Sequence, residues 1–316
     1  MRPGEISQTG TSGQELCTNM QTRSERGAKA KLLALVETLL AYGVIQALVQ
    51  AWRSTGVVQW EFQNLGWTYT GSLIFIGVPA LVIWLRRRNW ADYGVSGANW
   101  PTNLDIGMKA YLVRIIPFVL GLGGAAFLLH QTYREPAGGA LAALAEMFAI
   151  ALMIWLLGRQ KQVASSRGNL IVTVLLLLFP IGVALAMGKL SVVIVSTVIW
   201  QFVFSGFGEE FVFRGYVQSR LNQAFGKPYW AFGIQFGPGL LIASLLFGLL
   251  HAFNTFDLSI GLTSLSWGWA LWTTFGGLFF GILREKTGTL LAPGIAHGLP
   301  DAVGEALIRL GLVGWT

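Results

Sequence analysis

Residues 170–188 read LIVTVLLLLFPIGVALAMG, an unbroken run without one ionisable side chain. A helix rises 1.5 Å per residue and a bilayer core takes about 20 apolar residues to cross. This run is therefore a membrane span. A transmembrane strand would alternate apolar and polar residues over about 10 positions, whereas this run is continuous and twice as long. Only Lys189 and Leu190 separate it from the next apolar run, Ser191–Val217.

Similar runs flank this pair. On the N-terminal side they are Leu32–Trp52, Gly66–Leu85, Ala110–Leu129 and Leu141–Gly158; on the C-terminal side they are about Leu240–Asn254, Gly261–Leu283 and Leu290–Val313. The fold class read from them is an all-α, polytopic membrane helix bundle with eight or nine transmembrane helices, eight if a C-terminal run merges with its neighbour. Composition agrees: of 316 residues, 53% are hydrophobic and 12% charged, about half the charge of an ordinary soluble domain. That balance excludes a soluble globular enzyme and a disordered chain, and a single cysteine, Cys17, excludes a disulfide scaffold. Residues 1–30 are polar and lack the apolar core of a signal peptide. They are read as a disordered cytoplasmic tail ahead of one transmembrane domain, residues 31–316, which no repeat or linker divides.

The net charge of +7 does not imply nucleic acid, because multispan proteins concentrate Lys and Arg in cytoplasmic loops. With the N-terminus cytoplasmic, the inner segments hold 16 of the 22 basic residues, among them Arg86–Arg88, Arg159, Lys161, Arg220, Lys227 and Arg284. The outer loops hold Arg53, Arg134 and Lys189. The Gly277 and Gly281 pair, four apart in one run, favours close helix packing.

Charges inside spans are expensive and mark function by default. Glu37, Arg114 and Glu146 are isolated in sequence; they either pair with each other across helices or face a cavity, and a structural role is the first reading, ahead of a catalytic one. Glu305 and Arg309, four apart, read as a helical ion pair. His130, at the outer end of its run, reads as interfacial. The stretch GEEFVFRGY, residues 208–216, is different. On a 3.6-residue turn Glu210 and Arg214 share a face and neutralise each other, while Glu209 projects elsewhere without a local cation. Such a carboxylate suits general-base work; the bland alternative is one structural charge network. Phe247 and His251 are four apart, and so are His297 and Asp301, so that Asp301 can orient or flank the His297 imidazole. Counted up their helices, Glu209, His251 and His297 lie about 24, 18 and 15 Å above the cytoplasmic ends, compatible with one site.

The ordered set Glu209-Glu210-x-x-x-Arg214, Phe247-x-x-x-His251 and His297-x-x-x-Asp301 resembles the CPBP intramembrane proteases, the family of the type II CAAX prenyl endopeptidases and the abortive-infection (Abi) proteins. The resemblance covers about residues 190–305; Trp90-Ala-Asp-Tyr-Gly94 also resembles a juxtamembrane segment of bacterial members. It implies glutamate-dependent peptide hydrolysis within the membrane. Glu209 would activate water, His251 would help hold it, and His297 with position 301 would stabilise the oxyanion. Glu210 and Arg214 would support Glu209, with Phe247 on the same helix face as His251. One departure stands out: members mostly carry Asn where this chain has Asp301. An amide donates to an oxyanion, whereas an ionised carboxylate repels it.

Two forms of the chemistry stay open. Two histidines and a glutamate make a zinc site with a position for water, although no His-Glu-x-x-His motif is present; a water held by Glu and His alone also suffices. The expected partners are a peptide or lipidated-peptide substrate and membrane lipids, with no nucleic acid. The expected location is a prokaryotic plasma membrane. Competing functions are a non-proteolytic scaffold or regulator of the same fold and a proton-coupled transporter. The transporter is disfavoured because no corresponding broken-helix pair divides the chain into two halves.

Overall fold

The computed structural model describes residues 11–159, 166–231, 233–257 and 259–313, with the backbone alone for 11–26 and 116–118. Residues 1–10 of the expected tail, and Lys161 of an expected inner loop, lie outside the described residues. The chain begins with α1 (Thr11–Arg53), so the rest of the segment read as a tail is helical backbone continuous with the first apolar run. Two short helices follow, α2 (Gly56–Leu65) and α3 (Tyr69–Leu85), bent by 117° at their junction. Then come α4 (Trp100–Gly124), closed by a π turn over Ala125–Leu129, α5 (Pro136–Gly158) and α6 (Ser166–Ala186). His130, just past the π turn, adopts positive φ.

The run read as Ser191–Val217 forms one long rod. It starts as α7 (Val192–Ile199), widens into two π-helical segments, Trp200–Glu209 and Phe211–Gln218, and ends as α8 (Ser219–Phe225). Ser191 caps it, its hydroxyl accepting from the Ile194 amide. A small antiparallel hairpin, β1 (Tyr229–Ala231) and β2 (Ile234–Phe236), leads to α9 (Pro238–Phe253). Two helices complete the chain, α10 (Trp267–Thr287) and α11 (Leu291–Arg309).

Among the described residues, five helices are long and apolar enough to cross a membrane, and six if the bent α2–α3 pair counts as one span. By length and composition alone that is fewer than the eight or nine spans expected from sequence. The shortfall lies in the last three helices. The 16 residues of α9 rise only about 24 Å. Both α10 and α11 carry ionisable and small residues among their apolar ones. Their positions in the bundle explain this composition: Phe279, Phe280, Leu283, Ile295, Ala296 and Leu299 are all buried. A helix packed against other helices needs no broad lipid-facing stripe. By contrast α6, which carries no ionisable residue from Leu170 onward, leaves Leu175, Leu178 and Phe179 exposed, as a helix bordering lipid does.

Small residues set how closely the inner helices approach. A side chain added at Gly206 on the π-helix would place its Cβ 2.5 Å from Gly298 Cα on α11, and one at Gly294 would strike the Phe207 ring. Gly277 and Gly281 likewise bring α10 onto Ser244 and Leu240 of α9. The expected packing role of that glycine pair is what the backbone uses.

A strap links α3 to α4. Residues Trp90–Tyr93 form a single 3-10 turn that Asn89 caps through Ala91 N. Gly94, at φ +82°, lets the chain reverse, and its carbonyl accepts from Leu290 N at the start of α11. Tyr93 is fully buried and stacks on Tyr216 of the rod. Beside it, Glu37 of α1 receives Arg88, Arg220 and the Tyr216 hydroxyl. The other membrane charges also find partners: Arg114 bonds Glu146 at 3.2 Å, and Arg309 bonds Glu305 at 3.2 Å.

Candidate active site

Glu209 and Glu210 fall at the junction of the two π-helical segments. A π-helix bonds i to i+5 and marks functional positions because the widening costs stability. Here it turns the acid pair toward α11, while Gly206 and Gly298 let the two backbones close up. Four charged side chains and one imidazole thereby meet in the apolar interior.

His297 is the hub of this meeting. Its Nδ1 lies 2.8 Å from Oε1 of Glu210. A carboxylate only accepts, so Nδ1 carries the hydrogen. Its Nε2 faces the opposite way, 3.4 Å from Oδ2 of Asp301 and 3.9 Å from Oε2 of Glu209. Ser205 donates to the same Asp301 oxygen at 3.3 Å. Glu210 also pairs with Arg214 at 3.1 Å, both side chains wholly buried. The guanidinium makes that ion pair without a well-directed hydrogen bond, and its nitrogens, with Glu209 Oε2 and Glu210 Oε2, are buried without hydrogen-bond partners.

Exposure divides the cluster. Glu210 and Arg214 are at 0%, whereas the side chains of Glu209 and Asp301 keep 16% and 25% of their surface. The closed side thus holds the imidazole, and the open side presents two carboxyl groups. Glu210 meets the imidazole at Nδ1, and Asp301 lies at Nε2 on the more exposed side with Glu209. The Glu210 carboxylate is therefore in hydrogen-bond contact with the histidine.

Aromatic rings complete the walls. Phe247 packs edge-on against both His251 and His297, at 4.6 and 5.8 Å between centroids. Phe280 stacks flat on His297 at 4.5 Å, and Arg214 lies 4.3 Å from the Phe247 centroid. His251 joins the group through Phe247 and closes against Trp269. Its Nδ1 bonds the Phe247 carbonyl at 2.9 Å. A carbonyl only accepts, so Nδ1 bears the hydrogen and Nε2 is left as an acceptor.

The structure therefore brings Glu209, Glu210, Arg214, His297 and Asp301 into direct contact and joins His251 to them through Phe247. Ser205, Phe280, Trp269 and Arg114, whose guanidinium lies 4.4 Å from the Phe280 centroid, were not among the residues expected from sequence. Apolar and hydroxyl side chains inside apolar runs stand out by no spacing or charge. Arg114 did carry a signal, a charge within a span, but its nearness to the site depends on how α4 packs. Among the described residues, no group of three or more His, Cys, Asp or Glu side chains is arranged to hold a metal ion.

Residues 191–303 match the family model described as type II CAAX prenyl endopeptidase Rce1-like. The match takes in every residue of the cluster and supports the resemblance to the CPBP family read from the motifs. No curated protein and no solved structure matches the chain.

Proposed function

We propose, from the Rce1-like character of residues 191–303, that this integral membrane protein is a glutamate-dependent intramembrane endopeptidase acting on a membrane-associated or prenylated peptide. The observation that carries the reading is the convergence at 3.9 Å of Glu209 and His297, 88 positions apart in sequence, at the more exposed side of an otherwise closed charge cluster. Glu209 takes a proton from water, and the water oxygen bonds the scissile carbonyl carbon. The carbonyl oxygen becomes an oxyanion, to which doubly protonated His297 donates from Nε2. On collapse the C–N bond breaks and the leaving amine takes the proton back from Glu209. His251 accepts a hydrogen bond from the attacking water through Nε2, and Glu210 with Arg214 fixes the His297 ring. Preorganised donors of this kind supply the largest share of many enzymes' rate enhancement.

No step is routed through a metal, since the donors do not converge as a ligand set. Activity is expected to survive chelators; loss on chelation with recovery on zinc addition would replace this form by the zinc one. The finer topology proposed is nine crossings with a cytoplasmic N-terminus in a prokaryotic plasma membrane, checked by reporter fusions at each loop. The activity itself is tested by turnover of a membrane-embedded or prenylated peptide by the purified protein. Cleavage that continues unchanged with Glu209→Ala sinks it. Asp301 favours one other reading, a non-proteolytic regulator of the same fold, in which Glu209→Gln keeps full cellular activity.

A further inference from the structure

Two phenylalanine rings wedge the site histidines, and each carries a buried guanidinium. Arg214 rests on Phe247 at 4.3 Å. Arg114 rests on Phe280 at 4.4 Å, and Phe280 stacks on His297 at 4.5 Å with 16° between the planes. The ring lies in direct contact with both, a bridge from α4 to the imidazole. Arg114 and Glu146 are both buried, at 6% and 1% exposure. Glu146 on α5 receives the Arg114 Nε at 3.2 and 3.4 Å from its two oxygens, which fixes the guanidinium plane. Gly276, one turn before Phe280 on α10, lies beside the guanidinium: a Cβ there would make ordinary van der Waals contact with Nη2 at 3.6 Å. A desolvated cation over an aromatic face is attracted to the ring quadrupole, and the flat stack then limits rotation of His297 about its Glu210 hydrogen bond.

We propose that Arg114, held by Glu146, is a positioning residue that fixes the His297 imidazole through Phe280. Both Arg114 and Glu146 lie outside residues 191–303, so the family-matched segment is completed by a layer from α4 and α5. The activity arm of the test rests on the endopeptidase reading; the spectroscopic arm does not.

The chain holds three histidines, His130, His251 and His297, so the full-length protein labelled with 15N-histidine gives a spectrum assignable by single His→Gln variants. The paired variant Arg114→Met with Glu146→Gln removes both charges of the pair together. It is expected to move the His297 ring resonances and leave His130 in place. Phe280→Leu is expected to move the same resonances, and adding it to the paired variant to cause little further change. In the peptide-cleavage assay the paired variant lowers kcat by about 10- to 100-fold, the scale of a small misplacement of a reacting group, with KM within about twofold. Unmoved His297 resonances overturn the proposal. So does a paired-variant shift that persists in full on the Phe280→Leu background, because the ring would then not be the bridge. Should the paired variant fail to fold, Arg114→Lys, which keeps the cation and loses the fork, must still shift His297, and an unchanged spectrum there also overturns it. If Glu209→Ala leaves cleavage intact, the protease reading fails while the spectroscopic result stands.

Discussion

Glu37, packed against the α7–α8 rod, and the Glu209–Glu210 pair, within that rod, are acids wired in opposite ways. Glu37 receives Arg88 on both oxygens at 2.6 and 2.8 Å, Arg220 at 3.3 Å and the Tyr216 hydroxyl at 3.0 Å. Its carboxylate is matched by two guanidinium groups. In the site, one guanidinium and one imidazole face three carboxyl groups, and oxygens of both Glu209 and Glu210 are buried without a hydrogen bond. A satisfied polar network rigidifies, whereas a partly satisfied one costs free energy that packing elsewhere must offset. The difference separates a latch, which ties α1 and the strap to the rod, from a site that leaves polar capacity for a reacting molecule.

The sharpest way to break this comparison is to make the same substitution on both sides of it. Glu209→Gln is expected to lower kcat by about 10²- to 10⁴-fold, the range for losing a general base, while the unfolding midpoint stays level or rises. Glu37→Gln is expected to do the reverse. It leaves Arg88 and Arg220 without their carboxylate, at a cost of about 3 kcal/mol in unfolding free energy, the low end for a broken buried pair because this one is partly exposed. The folded fraction keeps kcat within about twofold. Denaturation and turnover measured on the same preparations decide it; matching losses of stability and rate in both variants would merge the two networks into one.

A smaller effect, of opposite sign, is expected at position 301. Asp301 places a carboxylate oxygen 3.4 Å from His297 Nε2, on the side where the proposed hydrolysis would form its oxyanion. Asp301→Asn keeps an oxygen for the Ser205 hydroxyl and adds an amide donor. It is expected to raise kcat by about tenfold, equivalent to about 1.4 kcal/mol of transition-state stabilisation. A fall in kcat would show that the carboxylate itself takes part in the reaction.

How much of this was legible in the sequence follows from how far each signal is local. Runs such as 170–188 announce their environment by length alone, and the spacing of Glu210 and Arg214 gave their pairing directly, because an i, i+4 contact needs no knowledge of the fold. The crossing count was less readable: a short α9 and the mixed α10 and α11 are defined by the helices around them. The π-helical widening at Glu209 has no sequence period to betray it, so the geometry of the acid pair on a 3.6-residue turn was only approximate. Which nitrogen of His297 meets which carboxylate depends on the approach of α11 to the rod, set by Gly206 and Gly298. Nothing in the sequence around either glycine marks that approach. Phe280 and Ser205 were illegible for the plainest reason, that phenylalanine and serine are common within spans.

Tyr216 offers the finest test of whether latch and site act separately, because it lies two residues from Arg214 on the rod yet belongs to the latch. Its hydroxyl donates to Glu37 Oε1 at 3.0 Å, and its ring, fully buried, stacks on Tyr93. Tyr216→Phe keeps the ring and removes one hydrogen bond. Glu37 Oε1 retains Arg88 at 2.6 Å, so no buried acceptor is left bare. The expected loss is about 1 kcal/mol, that of a single buried hydrogen bond. That corresponds to a fall of about 2 °C in the unfolding midpoint of a chain this size, with kcat unchanged. If kcat instead falls more than about threefold while the midpoint holds, strain travels along the rod from latch to site. The satisfied network would then be setting the geometry of the unsatisfied one.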